Sequence, residues 1–218
     1  DSGTIRALAV RPDNGQLAFA GYDLPVTLVG ADQTLQPVGE PIRHATDMSY
    51  SSAREQWAFA SYHEGAGWLN PNTGARQTVG ATGTAFAVQA LPDGGLLAGY
   101  LSGELIRFAA DGTELTHYDS SWSNVQSIAF DADTALVAAG YFGGEIGVWK
   151  LDGTPVATMV PYLPRMEPLR IGAARAVQFI SGQVLVSGHD DGHLVVTGLD
   201  GRILQKWKAH DSANAANT

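Results

Sequence analysis

Cysteine is missing from all 218 residues, which excludes disulfides and thiolate metal sites. Basic residues are scarce: 13 Lys and Arg against 22 Asp and Glu leave a formal net charge of −9. That balance excludes a general electrostatic attraction to nucleic acid or anionic lipid. No run of 18 apolar residues is present, so no membrane-spanning helix is expected. No basic-then-apolar leader opens the chain, and no Asn-x-Ser/Thr sequon occurs. Helical periodicity is lacking over any useful length. Phosphate-cradling glycine loops and nucleophile elbows are lacking too. These absences leave the compartment open and supply no cofactor signal.

What is present is a repeat. Leu17–Tyr22 reads LAFAGY, Trp57–Tyr62 WAFASY, Leu96–Tyr100 LLAGY, Leu136–Tyr141 LVAAGY and Val184–His189 VLVSGH. Their last residues lie 40, 38, 41 and 48 residues apart. The fullest copy, Asn124–Pro161, carries four short apolar runs separated by three turns. Four strands per ~40–45 residues is the rhythm of a β-propeller. The expected fold is therefore all-β: five four-stranded blades, either a compact ring or part of a larger propeller. The 26 glycines suit short strands joined by tight turns.

Blades are expected near residues 4–44, 45–80, 84–118, 124–161 and 175–208 of one propeller domain (1–210), with a disordered polar tail at 211–218. Turn chemistry recurs at Pro12-Asp13-Asn14-Gly15, Pro71-Asn72-Thr73-Gly74, Pro92-Asp93-Gly94-Gly95, Asp111-Gly112, Asp190-Asp191-Gly192 and Asp200-Gly201. Proline presets φ there, and glycine takes positive φ at little cost. Pro37 and Pro41 place Leu35–Ile42 at an outer edge, where a missing N–H is tolerated. Leu8, Met48, Val88, Ile128 and Val177 correspond in the first strand, as do Val10, Tyr50, Ala90, Phe130 and Phe179. Both sets are expected in the core between blades. Small residues of the second strand, such as Ala98 and Gly140, are expected where neighbours approach closely.

The pattern resembles the WD40-repeat family. Pro12-Asp13 and Pro92-Asp93 stand at its Pro-Asp turn, Trp149-Lys150 at its Trp-Asp position, and His44 and His210 at its Gly-His position. The other Trp-Asp positions hold Val29-Gly30, Leu69-Asn70, Phe108-Ala109 and Thr197-Gly198, so the resemblance is degenerate. It implies a non-catalytic interaction scaffold with a protein or peptide partner. Because such propellers usually have seven blades, it also implies a segment of a larger protein, able to associate through open end blades.

Tyr22, Tyr62, Tyr100, Tyr141 and His189 end the five second strands, at one expected rim. They could form an aromatic collar that binds by stacking and hydrogen bonds, or they could be repeated packing. Arg6 and Arg175 begin equivalent inner strands, where Gln126 is a third; a closed ring would bring the two arginines together to hold a carboxylate or phosphate. Otherwise they are solvated or singly paired. His189-Asp190-Asp191-Gly192-His193 superficially suggests a metal but reads better as a hairpin turn. Pro161–Ala174, with Tyr162, Arg165, Met166 and Arg170, is either a partner-contact arm or a long connection. Asp47, Ser127, Gln89, Gln126 and Gln178 are the polar groups of the inner strands, and no histidine joins them. A propeller enzyme of lactonase or quinoprotein type, with an axial metal or quinone, is the alternative to the scaffold.

Overall fold

The computed structural model describes residues 3–80, 83–120, 123–160 and 172–210. These form five four-stranded antiparallel sheets, and no helix occurs among the described residues. Sheet one contains β1 (Ile5–Val10), β2 (Leu17–Gly21), β3 (Leu24–Val29) and β4 (Leu35–Ile42). Sheet two contains β5 (Ala45–Ser51), β6 (Gln56–Ser61), β7 (Gly65–Leu69) and β8 (Arg76–Val79). Sheet three is β9 (Ala85–Ala90), β10 (Leu96–Tyr100), β11 (Leu105–Phe108) and β12 (Glu114–Tyr118). Sheet four is β13 (Val125–Asp131), β14 (Leu136–Tyr141), β15 (Ile146–Lys150) and β16 (Pro155–Met159). Sheet five is β17 (Ala174–Ser181), β18 (Val184–His189), β19 (His193–Gly198) and β20 (Ile203–Lys208). Each is a meander whose strands pair in chain order. The segment with Tyr162, Arg165, Met166 and Arg170, and the tail 211–218, lie outside the described residues.

Local chemistry sets these meanders. All five outer hairpins carry an Asp or Asn whose Oδ1 accepts the N–H two residues on: Asp32, Asn70, Asp111, Asp152 and Asp200. This side-chain turn competes well against continued strand pairing and reverses the chain. The residue after Asp111, Asp152 and Asp200 is a glycine at φ 89°, 92° and 79°, a region that L side chains avoid. Pro37 and Pro41 sit on β4, an outermost strand, as their missing N–H requires.

The chain divides into two compact units, one of residues up to Leu101 with Leu105–His117, the other of Ser102–Glu104 with the residues from Tyr118 on. In the first unit, Ala18, Ala20, Val26 and Leu28 of sheet one pack on Met48, Trp57, Phe59 and Leu69 of sheet two. Ala58, Ala60, Ala66 and Trp68, on the opposite face of sheet two, pack on Val88, Leu96, Ile106 and Phe108 of sheet three. In the second unit, Ala129, Ala138, Ile146 and Val148 of sheet four pack on Val177, Phe179 and Leu185 of sheet five. The rule is the same each time: an alanine-rich face of one sheet receives the bulkier face of the next. Gly140 marks a close approach of β14 to the backbone of β17 in the second unit. A Cβ there would stand 2.7 Å from the Ala174 carbonyl oxygen and 2.8 Å from Ser127 Oγ.

One expectation about the core requires correction. Met48, Val88 and Val177 are buried, but their counterpart Leu8 is 61% exposed and Val10 is 53% exposed. Both project from the face of sheet one that turns away from sheet two, where burial would require another sheet.

Candidate functional site

Side chains, not backbone ladders, stitch the inner strands of neighbouring sheets. Asp47 on β5 accepts the N–H of Val88 on β9 at 2.9 Å and its neighbour Met48's N–H at 2.8 Å. Thr46 Oγ1 donates to the Ala85 carbonyl, and Ser49 Oγ accepts the N–H of Ala90. Burial pushes the Asp47 carboxyl up to about 6, although both N–H donors act to lower it. In the second unit Ser127 Oγ makes a longer 3.4 Å contact to the Ala174 carbonyl. Asp47, Ser127 and Gln89, the polar groups considered for chemistry, are thus occupied in joining sheets; Gln89 Nε2 donates to the Ala90 carbonyl.

The five rim residues occupy two register positions, not one: Tyr100, Tyr141 and His189 pair with Ala85, Val125 and Ala174, where sheets one and two have Gly21 and Ser61, and Tyr22 and Tyr62 stand one residue further on. Tyr100, Tyr141 and His189 are buried. Burial raises the Tyr141 phenol to about 12. His189 Nε2 lies 2.9 Å from Ser187 Oγ, and Nδ1 lies 2.8 Å from the Gly172 carbonyl. Tyr22 and Tyr62 are instead 51% and 38% exposed. A uniform collar is therefore replaced by an open pair in the first unit, because the one-residue shift sets the other three at a buried strand position, while Leu101 and Phe142, the true counterparts of Tyr22 and Tyr62, are exposed like them.

That pair is bridged by a residue that the repeat did not single out as a site. His44 stands between Tyr22, at 4.6 Å between ring centroids, and Tyr62, at 5.2 Å and near-parallel. His63 meets Tyr62 edge-on at 5.1 Å, and Phe86 meets it edge-on at 5.9 Å. His44 holds a left-handed backbone, φ 55°, at the link between β4 and β5. Such a conformation costs a non-glycine residue about 1 kcal/mol or more, and the surrounding contacts must hold it. Desolvation, then the charges of Arg6 and His63, lower the His44 pKa. Its ring is therefore neutral at pH 7 and stacks without a charge to hydrate. Arg6 thus borders the same aromatic group. The sequence placed His44 only at the Gly-His position of the repeat, and His63 and Phe86 carried no repeat signal; their strand ends would have had to be read together.

Arg175 belongs to a different neighbourhood. Its guanidinium donates to Gln126 Oε1 and, at 3.4 Å, to Asp190 Oδ2, and lies 5.5 Å over the Phe142 ring. Arg6 and Arg175 lie in separate units, each with its own surroundings. The two histidines of the β18–β19 hairpin do not converge: His193 Nδ1 is 3.1 Å from Asp191 Oδ2, while His189 faces Ser187 and Gly172. Asp191 Oδ1 accepts the His193 N–H, which is turn chemistry. Among the described residues no group of three or more His, Asp or Glu is placed to hold a metal. No described helix is long and apolar enough to cross a membrane.

No family model matches the chain, and no curated protein matches it. Among solved structures it is similar to the computationally designed Ika8 protein, with a TM-score of 0.74 and 18% identity. The likeness covers 96% of this chain but 63% of the designed one, so this chain spans less than two thirds of that protein's length. At this identity the likeness shows the fold alone.

Proposed function

We propose that the chain is a WD40-like β-propeller scaffold whose five sheets are blades, and that the Tyr22–His44–Tyr62 group is where it binds a peptide segment of a protein partner. The ~40-residue repeat and the face-to-face order of sheets within each unit support the blade reading. One observation carries the binding reading: Tyr22 and Tyr62, at matching positions just past β2 and β6, leave their rings open on either side of His44, Tyr62 stacked on it and Tyr22 tilted against it. Rigid, half-exposed aromatic rings present much area with few torsions to freeze, which is why tyrosine dominates binding hot spots. Arg6 at the border favours a ligand that pairs a flat apolar side chain with a carboxylate.

A displayed library of linear peptides, selected on the purified chain, tests this. Tyr22→Ala and Tyr62→Ala should weaken the selected peptides at least about 10-fold, and Arg6→Ala should weaken the acidic ones. Phe142→Ala, in the other unit, should change nothing. Equal binding by the Tyr22 and Tyr62 variants would overturn the assignment.

A further inference from the structure

Two sheet faces repeat, residue for residue, surfaces that are buried elsewhere. On sheet one the cross-strand register aligns Leu8, Phe19, Thr27 and Pro37, then Val10, Leu17, Val29 and Leu35. Leu8, Val10 and Leu35 are 61%, 53% and 62% exposed. Sheet two has Met48 and Phe59 in the first row and Tyr50, Trp57 and Leu69 in the second. Met48, Trp57, Phe59 and Leu69 are all buried, packed on the alanine-rich face of sheet one. Sheet one thus presents outward the bulky kind of face that sheets two, three and five bury.

Sheet five presents the other face, the one that stands by register where sheets one, two and four carry their alanine-rich faces but is itself bulkier. Gly188, Leu194 and Trp207 align in one row, and Val186, Val196 and Gln205 in the next. The Trp207 position is held by Val79 in sheet two and Met159 in sheet four, at 3% and 2% exposure, each under the following sheet. Trp207 is 39% exposed, and all six residues of β20 are exposed.

We infer that the free face of sheet five on one copy of this chain docks on the free face of sheet one on a second copy, head to tail. The argument is position: each unit joins its sheets by laying the Leu8-type face of one on the Trp207-type face of the sheet before it, and one chain carries one uncovered, apolar face of each type. Burying several exposed apolar side chains supplies the driving force. The contact is heterologous, since the two surfaces differ, so it can propagate beyond a pair. It does not depend on the peptide site proposed above, which lies at the strand ends rather than on a sheet face.

Sedimentation velocity over a concentration series tests the inference, at salt high enough to screen the −9 charge carried by each copy. The unaltered chain should sediment as a concentration-dependent series of oligomers. Leu8→Glu should block one face and Trp207→Glu the other, and each variant alone should be monomeric. Mixed together they should form a 1:1 dimer and nothing larger, because one intact face of each kind remains. If either variant fails to show the native circular dichroism spectrum, Val10→Glu or Gln205→Glu replaces it on the same face. A monomeric unaltered chain at every concentration would overturn the inference, whether the faces are then covered by other sheets or by nothing. So would dimers of the Trp207 variant alone, which would mean like faces pairing, or a mixture that does not associate.

Discussion

Tyr62 and Tyr141 close nearly the same sequence, ASY against AGY, but Tyr62 comes one residue after β6 ends, whereas Tyr141 is the last residue of β14. Tyr62 is 38% exposed and stacks on His44, whereas Tyr141 is fully buried. One ring is available to a ligand, and the other is core. Similar wording in a repeat therefore does not fix the register of each copy, and a one-residue shift moves a side chain from an exposed position to a buried one. A search for binding residues by sequence repeat alone would weight the two equally.

The sharpest way to break this comparison is to remove both rings. Tyr141→Ala should cost about 3–5 kcal/mol, the usual range for emptying a buried aromatic site, read as a lowered denaturation midpoint. Tyr62→Ala should cost less than about 1 kcal/mol while weakening peptide binding. Equal losses would place both tyrosines in the core.

The joins between sheets give the next largest effect, and pH exposes it. The folded Asp47 carboxyl, at about 6, lies above its ordinary value of about 4, so the folded chain binds this proton more tightly than the unfolded chain. The resulting stabilisation is complete below about pH 4 and is lost as pH rises through about 6, by at most about 3 kcal/mol. Melting temperature followed from pH 4 to 7 should show this fall, and Asp47→Asn should flatten it. The second unit joins its inner strands through the neutral Ser127, which cannot add a matching slope.

Gly140→Val should cost about 1–3 kcal/mol, because the added carbons would meet the Ala174 backbone oxygen. Ala98→Leu, on a fully buried face of sheet three, should fall in the same range. Chemical denaturation of each variant measures the loss, and an unchanged midpoint would deny the close approach. The smallest effect concerns His44. Its lowered pKa means the unfolded chain takes up the proton first, so acidification below about 6.5 should destabilise the first unit and disturb the Tyr22–Tyr62 stack. Tyrosine ring shifts in an NMR pH titration would follow it, and His44→Gln should abolish the response.

Much of the fold was legible because its determinants are local. Asp111-Gly112, Asp152-Gly153 and Asp200-Gly201 make their turns with atoms two residues apart, whatever lies around them. Alternation along LVAAGY needs only its own strand to be read. Leu8 shows where this reading stops. It has the same register as Met48 and Val88, yet it is exposed, because no other sheet of the first unit packs on its side. His44 and His63 were missed for a similar reason, since ring contacts with residues 18 to 22 positions away leave no periodic trace.

By itself the amino-acid sequence determined five meanders and their turn positions. Those properties follow from backbone torsions and a two-residue alternation that every strand carries within itself. Tertiary structure alone decided the register of each copy and which of the equivalent faces are covered. Burial belongs to pairs of surfaces, and a repeat whose copies are alike says nothing of which copy lacks a neighbour.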